Sequence, residues 1–167
     1  QAIGIEEGDE VIMPSFTIIS CAMAVTKLGA KPVLIDSDPD TWNMNVEEIE
    51  AKITTRTKAI LVVHLYGLPV EMDKVLELAE KYHLKVVEDA TEAIGTICEY
   101  GRYKGKMAGT IGDFGAYSFK GNKIITTGGG GMIVGNNIDK LNHLKYMSTQ
   151  CKDDSHFYVH NEVGFNY

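Results

Sequence analysis

Side chains able to bind or transform a small molecule stand at three places, at or just beyond apolar runs of this sequence. Asp89 closes KVVED, His64 lies in VVHLYG, and Ser118 ends a run that opens onto a loop carrying Lys123. A carboxylate can hold a cationic group, an imidazole or an amine can move a proton, and a small hydroxyl can donate to an anionic oxygen. In open parallel sheets ligands bind beyond the carboxyl ends of the strands, so polar residues there outrank polar residues elsewhere. Each also has an ordinary structural explanation. Glu88 and Asp89 can cap the turn at residues 90–93, a histidine in an apolar strand is most often a hydrogen-bonded core residue, and a lone lysine is usually a solvated charge.

The run Gly128-Gly129-Gly130-Gly131 invites comparison with a nucleotide-binding loop, but its context is wrong. A dinucleotide fingerprint follows a strand and opens a helix, whereas these glycines precede the apolar run Met132-Ile133-Val134. A tight turn or a close backbone approach is the better reading.

The elements that position these residues alternate along the chain. Residues 10–13 and 31–36 are short apolar runs that read as buried strands, and residues 17–28 between them are apolar nearly all round and stop at Gly29, as a buried helix would. Asn45 followed by Glu48 resembles an N-cap box, with Val46, Ile49 and Ile53 at helical spacing. Residues 58–66 (KAILVVHLY) are too apolar for a half-exposed strand; residues 71–83 repeat apolar side chains at helical period and lead into the strand 85–89. Residues 95–112 are rich in Gly, Lys and Tyr and read as a hairpin or excursion instead of a crossover helix. Strands follow over 114–119 and 132–134, then a helix over 138–147 with Leu141, Leu144 and the Lys145 stem turned inward. The tail from 148 to 167 is polar, aromatic and aperiodic. The fold class expected from this order is α/β: a three-layer, mostly parallel sheet with helices on both faces.

With 44% hydrophobic and 23% charged residues in 167, the chain has the make-up of a globular domain able to bury one sizeable core. Its net charge of -7 and the lack of clustered Lys and Arg argue against a nucleic-acid surface. The apolar stretches are too short to span a bilayer, and no signal-peptide pattern opens the chain. Cys21, Cys98 and Cys151 are widely spaced and form neither a disulfide framework nor a zinc ribbon, which fits a reducing cytoplasm. No metal site is expected.

Two ordered segments, VVEDATEAIG (86–95) and GDFGAYSFKGNKIITTGGGGMIV (112–134), resemble the DegT/StrS family of nucleotide-sugar aminotransferases. The resemblance extends over GDEVIMPSFT (8–17), KPVLIDSDPDTWNMNVEEIEAKIT (31–54), KAILVVHLYG (58–67) and HNEVGFNY (160–167), covering essentially the whole chain. It implies the large domain of a fold type I enzyme that uses pyridoxal 5'-phosphate (PLP). Lys123 matches the lysine that binds the cofactor covalently and later shuttles a proton. Asp89 matches the carboxylate set against the pyridine nitrogen, and Glu92 the position that approaches the phenolic oxygen, where Gln or His is common in the family. Ser118 matches the phosphate-binding serine. Asn166 matches an asparagine that reaches the phosphate of a neighbouring subunit, so a homodimer with shared active sites is implied. Two positions depart from the pattern: Ile18 stands where an aromatic side chain commonly stacks on the cofactor, and Gly129 where a glutamate is common. An aliphatic side chain can pack on the ring without the stacking contribution.

The activity implied is transfer of an amino group, from glutamate as the amino-acid donor, to a nucleotide-linked 4-keto-6-deoxy sugar in surface-polysaccharide or amino-sugar biosynthesis, with perosamine among the products. The family's phosphate-binding helix start and its C-terminal small domain are expected outside residues 1–167, which would be the central part of the large domain. Two rival readings are a PLP-fold protein that regulates or binds sugar without transamination, and a PLP-dependent sugar dehydratase. In the dehydratase branch a histidine replaces the lysine, so the presence of Lys123 weighs against it.

Overall fold

The computed structural model describes residues 1–154 and 156–165. Six strands, β1 (Glu10–Pro14), β2 (Lys31–Ile35), β3 (Thr57–Val63), β4 (Lys85–Asp89), β5 (Phe114–Ser118) and β6 (Gly131–Gly135), form one sheet in the order β2-β1-β3-β4-β5-β6. The first five are mutually parallel, and β6 returns antiparallel to β5. The helices are α1 (Ile19–Thr26), α2 (Ile49–Lys52), α3 (Met72–Tyr82) and α4 (Ile138–Ser148).

The continuous apolar composition of β3 is explained by its two buried faces. Ala59 and Val63 pack with Val11, Met13, Cys21 and Val25 on the α1 side, while Ile60 and Val62 pack with Ile12, Val75, Leu78 and Val86 on the α3 side. Successive side chains of a strand point to opposite faces, so an apolar residue is needed at every position. Helix α3 presents Met72, Val75, Leu78 and Ala79 to this second face, about 1.5–3 kcal/mol for each large side chain fully removed from water. It ends where His83 adopts a left-handed conformation and the Leu84 N–H closes on the Ala79 carbonyl.

Asn45 caps as its spacing suggests: its Oδ1 accepts from the Glu47 N–H, and its amide donates to Glu48. The helix behind it is a single 3-10 turn (Val46–Glu48) followed by the four residues of α2.

Three expectations are corrected. The β2 strand is not buried throughout, because it is the sheet edge, and Lys31 and Leu34 are exposed. Helix α1 buries only Cys21 and Val25, leaving Ile19 and Met23 exposed, since only one of its faces meets the sheet. In α4 Leu141 and Leu144 are half-buried, Lys145 is exposed, and Met147 is the buried residue, because a single edge strand, β6, lies against that helix.

The excursion after β4 is a hairpin-like loop bridged at Ile97 and Met107, with no crossover helix. Its return is packed tightly on β5. Gly109, at φ +90°, lies against Tyr117, and a Cβ at Gly115 would collide with the Gly109 carbonyl. The Tyr117 hydroxyl donates to the Ala108 carbonyl at 2.6 Å and fixes this contact.

Candidate active site

At the carboxyl end of β4, consecutive residues face opposite sides of the sheet. Asp89 turns toward α1, where its Oδ2 accepts from the Cys21 thiol at 3.2 Å; its Oδ1 accepts from the Thr91 N–H at 3.0 Å. Among the described residues it has no cationic partner. Burial, and then the charge of Asp89, push the Cys21 thiol up to about 12, so at neutral pH Cys21 is a neutral donor and not a thiolate nucleophile.

Glu92 lies in the turn beyond Asp89. Its Oε2 accepts from the Tyr66 N–H at 2.9 Å, and its Oε1 stands 3.6 Å from Lys123 Nζ. Lys123 belongs to a loop that leaves β5 and folds back on it. The Thr127 N–H donates to the Phe119 carbonyl at 2.9 Å, the Phe119 N–H donates to Gly130, and the Lys123 N–H donates to Lys120. Gly128 and Gly130 have φ of +80° and +112°, so the glycine run is the turn between β5 and β6 and not a nucleotide fingerprint. The Lys123 side chain is only 14% exposed, which distinguishes it from a solvated surface lysine.

Ser118 is the last residue of β5, two residues past Ala116, which pairs with Asp89, so its hydroxyl stands on the same rim; it accepts from the Lys120 N–H at 3.3 Å. Ile18 is more than half exposed at the start of α1, three residues before Cys21. The structure thus gathers Asp89, Glu92, Ser118 and Lys123 at the ends of β4 and β5, with Ile18 leading the helix that touches Asp89. Asn166 lies outside the described residues.

His64, by contrast, faces away from this rim. It is fully buried; its Nε2 lies 2.9 Å from Glu88 Oε2, and its Nδ1 accepts from the Val70 N–H at 3.1 Å. The ordinary explanation of a strand-end histidine is the right one. Glu88, also fully buried, accepts further from the N–H groups of Gly109, Ile111 and Gly112 at 2.8, 2.7 and 2.6 Å. Burial alone would raise this carboxyl, but the hydrogen bonds from His64, Gly112 and Gly109 outweigh it and hold the pKa below the usual glutamate value. Sequence reasoning treated Glu88 only as a capping partner of Asp89. The missed signal is the doublet itself, since two successive carboxylates on a buried strand cannot both face the same side of the sheet.

A hollow of about 700 Å³ lies on the α3 side of the same rim, between residues such as Met44, Val46, Val70 and Tyr103, and contains none of Asp89, Glu92, Ser118 or Lys123. Among the described residues no cluster of His, Cys, Asp and Glu could hold a metal ion, and no helix is long and apolar enough to cross a membrane. The three cysteines are free.

Comparison with known proteins gives this geometry a context. The profile of the DegT/DnrJ/EryC1/StrS aminotransferase family matches residues 1–167. The chain is 49% identical over 166 residues to the GDP-perosamine synthase of Caulobacter vibrioides, covering 99% of this chain and 43% of that protein. It is 40% identical over 167 residues to a UDP-N-acetyl-3-dehydro-alpha-D-glucosamine 3-aminotransferase of Acidithiobacillus ferrooxidans, again covering 99% of this chain and 43% of that protein. The fold superposes on an aminotransferase from Psychrobacter cryohalolentis with a TM-score of 0.86 and 38% identity, over 99% of this chain and 44% of that structure. The chain therefore spans less than half the length of the relatives it matches.

Proposed function

We propose, for a chain that belongs to the DegT/DnrJ/EryC1/StrS aminotransferase family, that residues 1–167 form the central part of the large domain of an enzyme that moves an amino group from glutamate to a nucleotide-linked 4-keto-6-deoxy sugar. The family depends on pyridoxal 5'-phosphate. The observation that carries the reading is the placement of a sheltered amine, Lys123, 3.6 Å from Glu92 on the rim that also holds Asp89.

The donor set fits the cofactor. A carboxylate steadied by two hydrogen bonds and lacking a cationic partner among the described residues suits a protonated pyridine nitrogen. A primary amine suits the cofactor's carbonyl, and a strand-end hydroxyl suits its phosphate. When bound, PLP supplies the electron sink that lets a C–H bond next to nitrogen ionise.

The chain's own residues then have distinct tasks. Asp89 would hold the protonated ring nitrogen, and Cys21 and Thr91 keep Asp89 aimed. Lys123 would hold the cofactor through its Nζ, and the same amine would be the group able to carry the proton in the transfer. Glu92, fixed by the Tyr66 N–H, stands beside that amine and orients it. Ser118 would donate to the phosphate and Ile18 would pack against the ring, in a protein that works as a homodimer. Similarity to a GDP-perosamine synthase and to a UDP-sugar aminotransferase supports a nucleotide-linked sugar as the acceptor. The place of work would be the cytoplasm, whose reducing conditions suit three free cysteines.

The test is borohydride reduction of the full-length protein loaded with PLP, followed by peptide mapping. A cofactor label on the Lys123 peptide, together with glutamate-dependent bleaching of the bound cofactor's visible absorbance, is expected. A label on another lysine removes Lys123 from its role, and absence of any bound cofactor moves the weight to a binding protein without transamination.

A further inference from the structure

The buried pair on the other side of β4 is connected to the site through backbone. The Val70 N–H donates to His64 Nδ1, so that nitrogen carries the lone pair and Nε2 carries the proton given to Glu88. The same histidine donates its own N–H to the Asp89 carbonyl at 3.0 Å and accepts the Gly67 N–H at its carbonyl. Residues 64–70 are therefore wound around one side chain. Within that turn Tyr66 is held at φ +50°, a left-handed conformation uncommon for a tyrosine, and its N–H is thereby directed at Glu92.

We infer that His64, oriented by Glu88, is a positioning residue for the reaction: its ring fixes the 64–70 turn, the turn aims the Tyr66 N–H, and that N–H sets where Glu92 stands against Lys123. This rests on the reading of Glu92 and Lys123 given above. Neither the His64 nor the Glu88 side chain is hydrogen-bonded to Glu92 or Lys123. The pair has the features required of such a support: it is fully buried, every polar side-chain atom has a partner, and its partners come from two separate segments, at Val70 and at residues 109–112. A group doing no more than filling space at position 64 would need no acceptor aimed at Val70.

Two conservative substitutions separate the two ends of the ring. In His64→Gln the side-chain amide can reach the Nε2 position and still donate to Glu88, but it offers no acceptor at the Nδ1 position. In His64→Asn the carboxamide oxygen can occupy the Nδ1 position and still accept from Val70. In the full-length apo protein, hydrogen exchange of the Tyr66 and Val70 amides is expected to speed up about tenfold in His64→Gln, as for loss of one hydrogen bond. Rates should stay within about twofold of the parent protein in His64→Asn. With PLP and glutamate, the rate of the first half-reaction should fall about tenfold in His64→Gln and recover in His64→Asn, and His64→Gln should add nothing in a Glu92→Ala background.

Equal losses in both variants, an unchanged Tyr66 amide in His64→Gln, or additive losses with Glu92→Ala would overturn the inference. A measurement without variants guards against misfolding: ring ¹⁵N shifts of His64 in the parent protein must show a protonated Nε2 and a bare Nδ1, and the reverse tautomer overturns the inference as well. Because the exchange experiment needs no cofactor, a PLP label on a lysine other than Lys123 would sink the proposed function while leaving the amide comparison decisive for the turn.

Discussion

Replacing Glu88 by Gln should destabilise the protein far more than the loss of one surface charge would. Four donors converge on two oxygens: His64 and Gly109 on Oε2, Ile111 and Gly112 on Oε1. The amide keeps one oxygen and puts an NH₂ group in place of the other, so two of the four donors meet a donor. At about 1–3 kcal/mol for each buried donor left unpaired, the loss is about 2–6 kcal/mol. The pH dependence carries a definite sign. The folded carboxyl lies below the unfolded value of about 4.3, so its stabilisation is complete above that value and disappears as pH falls through the folded pKa. The gap between parent and Glu88→Gln should be widest at neutral pH and should narrow on acidification below about pH 4.3. Urea unfolding of the full-length protein followed by circular dichroism at several pH values measures the gap, and amide exchange at Gly109, Ile111 and Gly112 locates it. A variant within about 1 kcal/mol of the parent at pH 7, or a gap unchanged by acid, would refute the reasoning.

Three other outcomes follow from contacts described above. Ser118→Ala should weaken PLP binding about tenfold to a hundredfold, the worth of one hydrogen bond to a charged group, as read by cofactor titration; unchanged affinity would take Ser118 out of the site. With its thiol up at about 12, Cys21 should react with iodoacetamide at pH 8 at least about a thousandfold more slowly than in urea, and Cys21→Ala should weaken PLP binding where Cys21→Ser does not; fast alkylation, or equal affinities, would sever the link to Asp89. Gly115→Ala should cost about 1–3 kcal/mol or more, because the added methyl meets the Gly109 carbonyl, and thermal unfolding of the variant at the parent's midpoint would contradict that packing.

Much of this architecture was legible because local and tertiary demands agree. The β4 strand runs over the residues its apolar pattern marks, and α3 differs from its expected span by one residue at each end. Readings failed where burial depends on neighbours that a sequence does not display. The Leu34 side chain is exposed because β2 is an edge strand, and Met23 because α1 meets the sheet on one face only. The residues proposed for the site could be named from motifs, yet their mutual geometry could not. Nothing in the spacing of Tyr66 and Glu92 announces that a backbone N–H joins them, because that contact depends on a positive φ in the 64–70 turn. Asp89 lacked any visible partner in sequence, since Cys21 lies 68 residues away and reaches it only through the packing of α1 on the sheet.

The doublet Glu88-Asp89 shows how a parallel strand divides labour by pleat alone. One carboxylate turns to the α3 side, where four donors compensate its burial and it braces the loop that enters β5. The next turns to the α1 side with a thiol and one N–H, which leaves lone pairs for a cationic ligand. Exchanging their environments would ruin both, because a carboxylate saturated by donors is a poor partner for a pyridinium and a sparsely bonded one cannot survive dry burial. A one-residue slip of β4 would make that exchange, as every side chain would change face. The network around Glu88 therefore does more than add stability: by accepting from Gly109, Ile111 and Gly112 it opposes the slip and fixes which of the two carboxylates keeps lone pairs to spare.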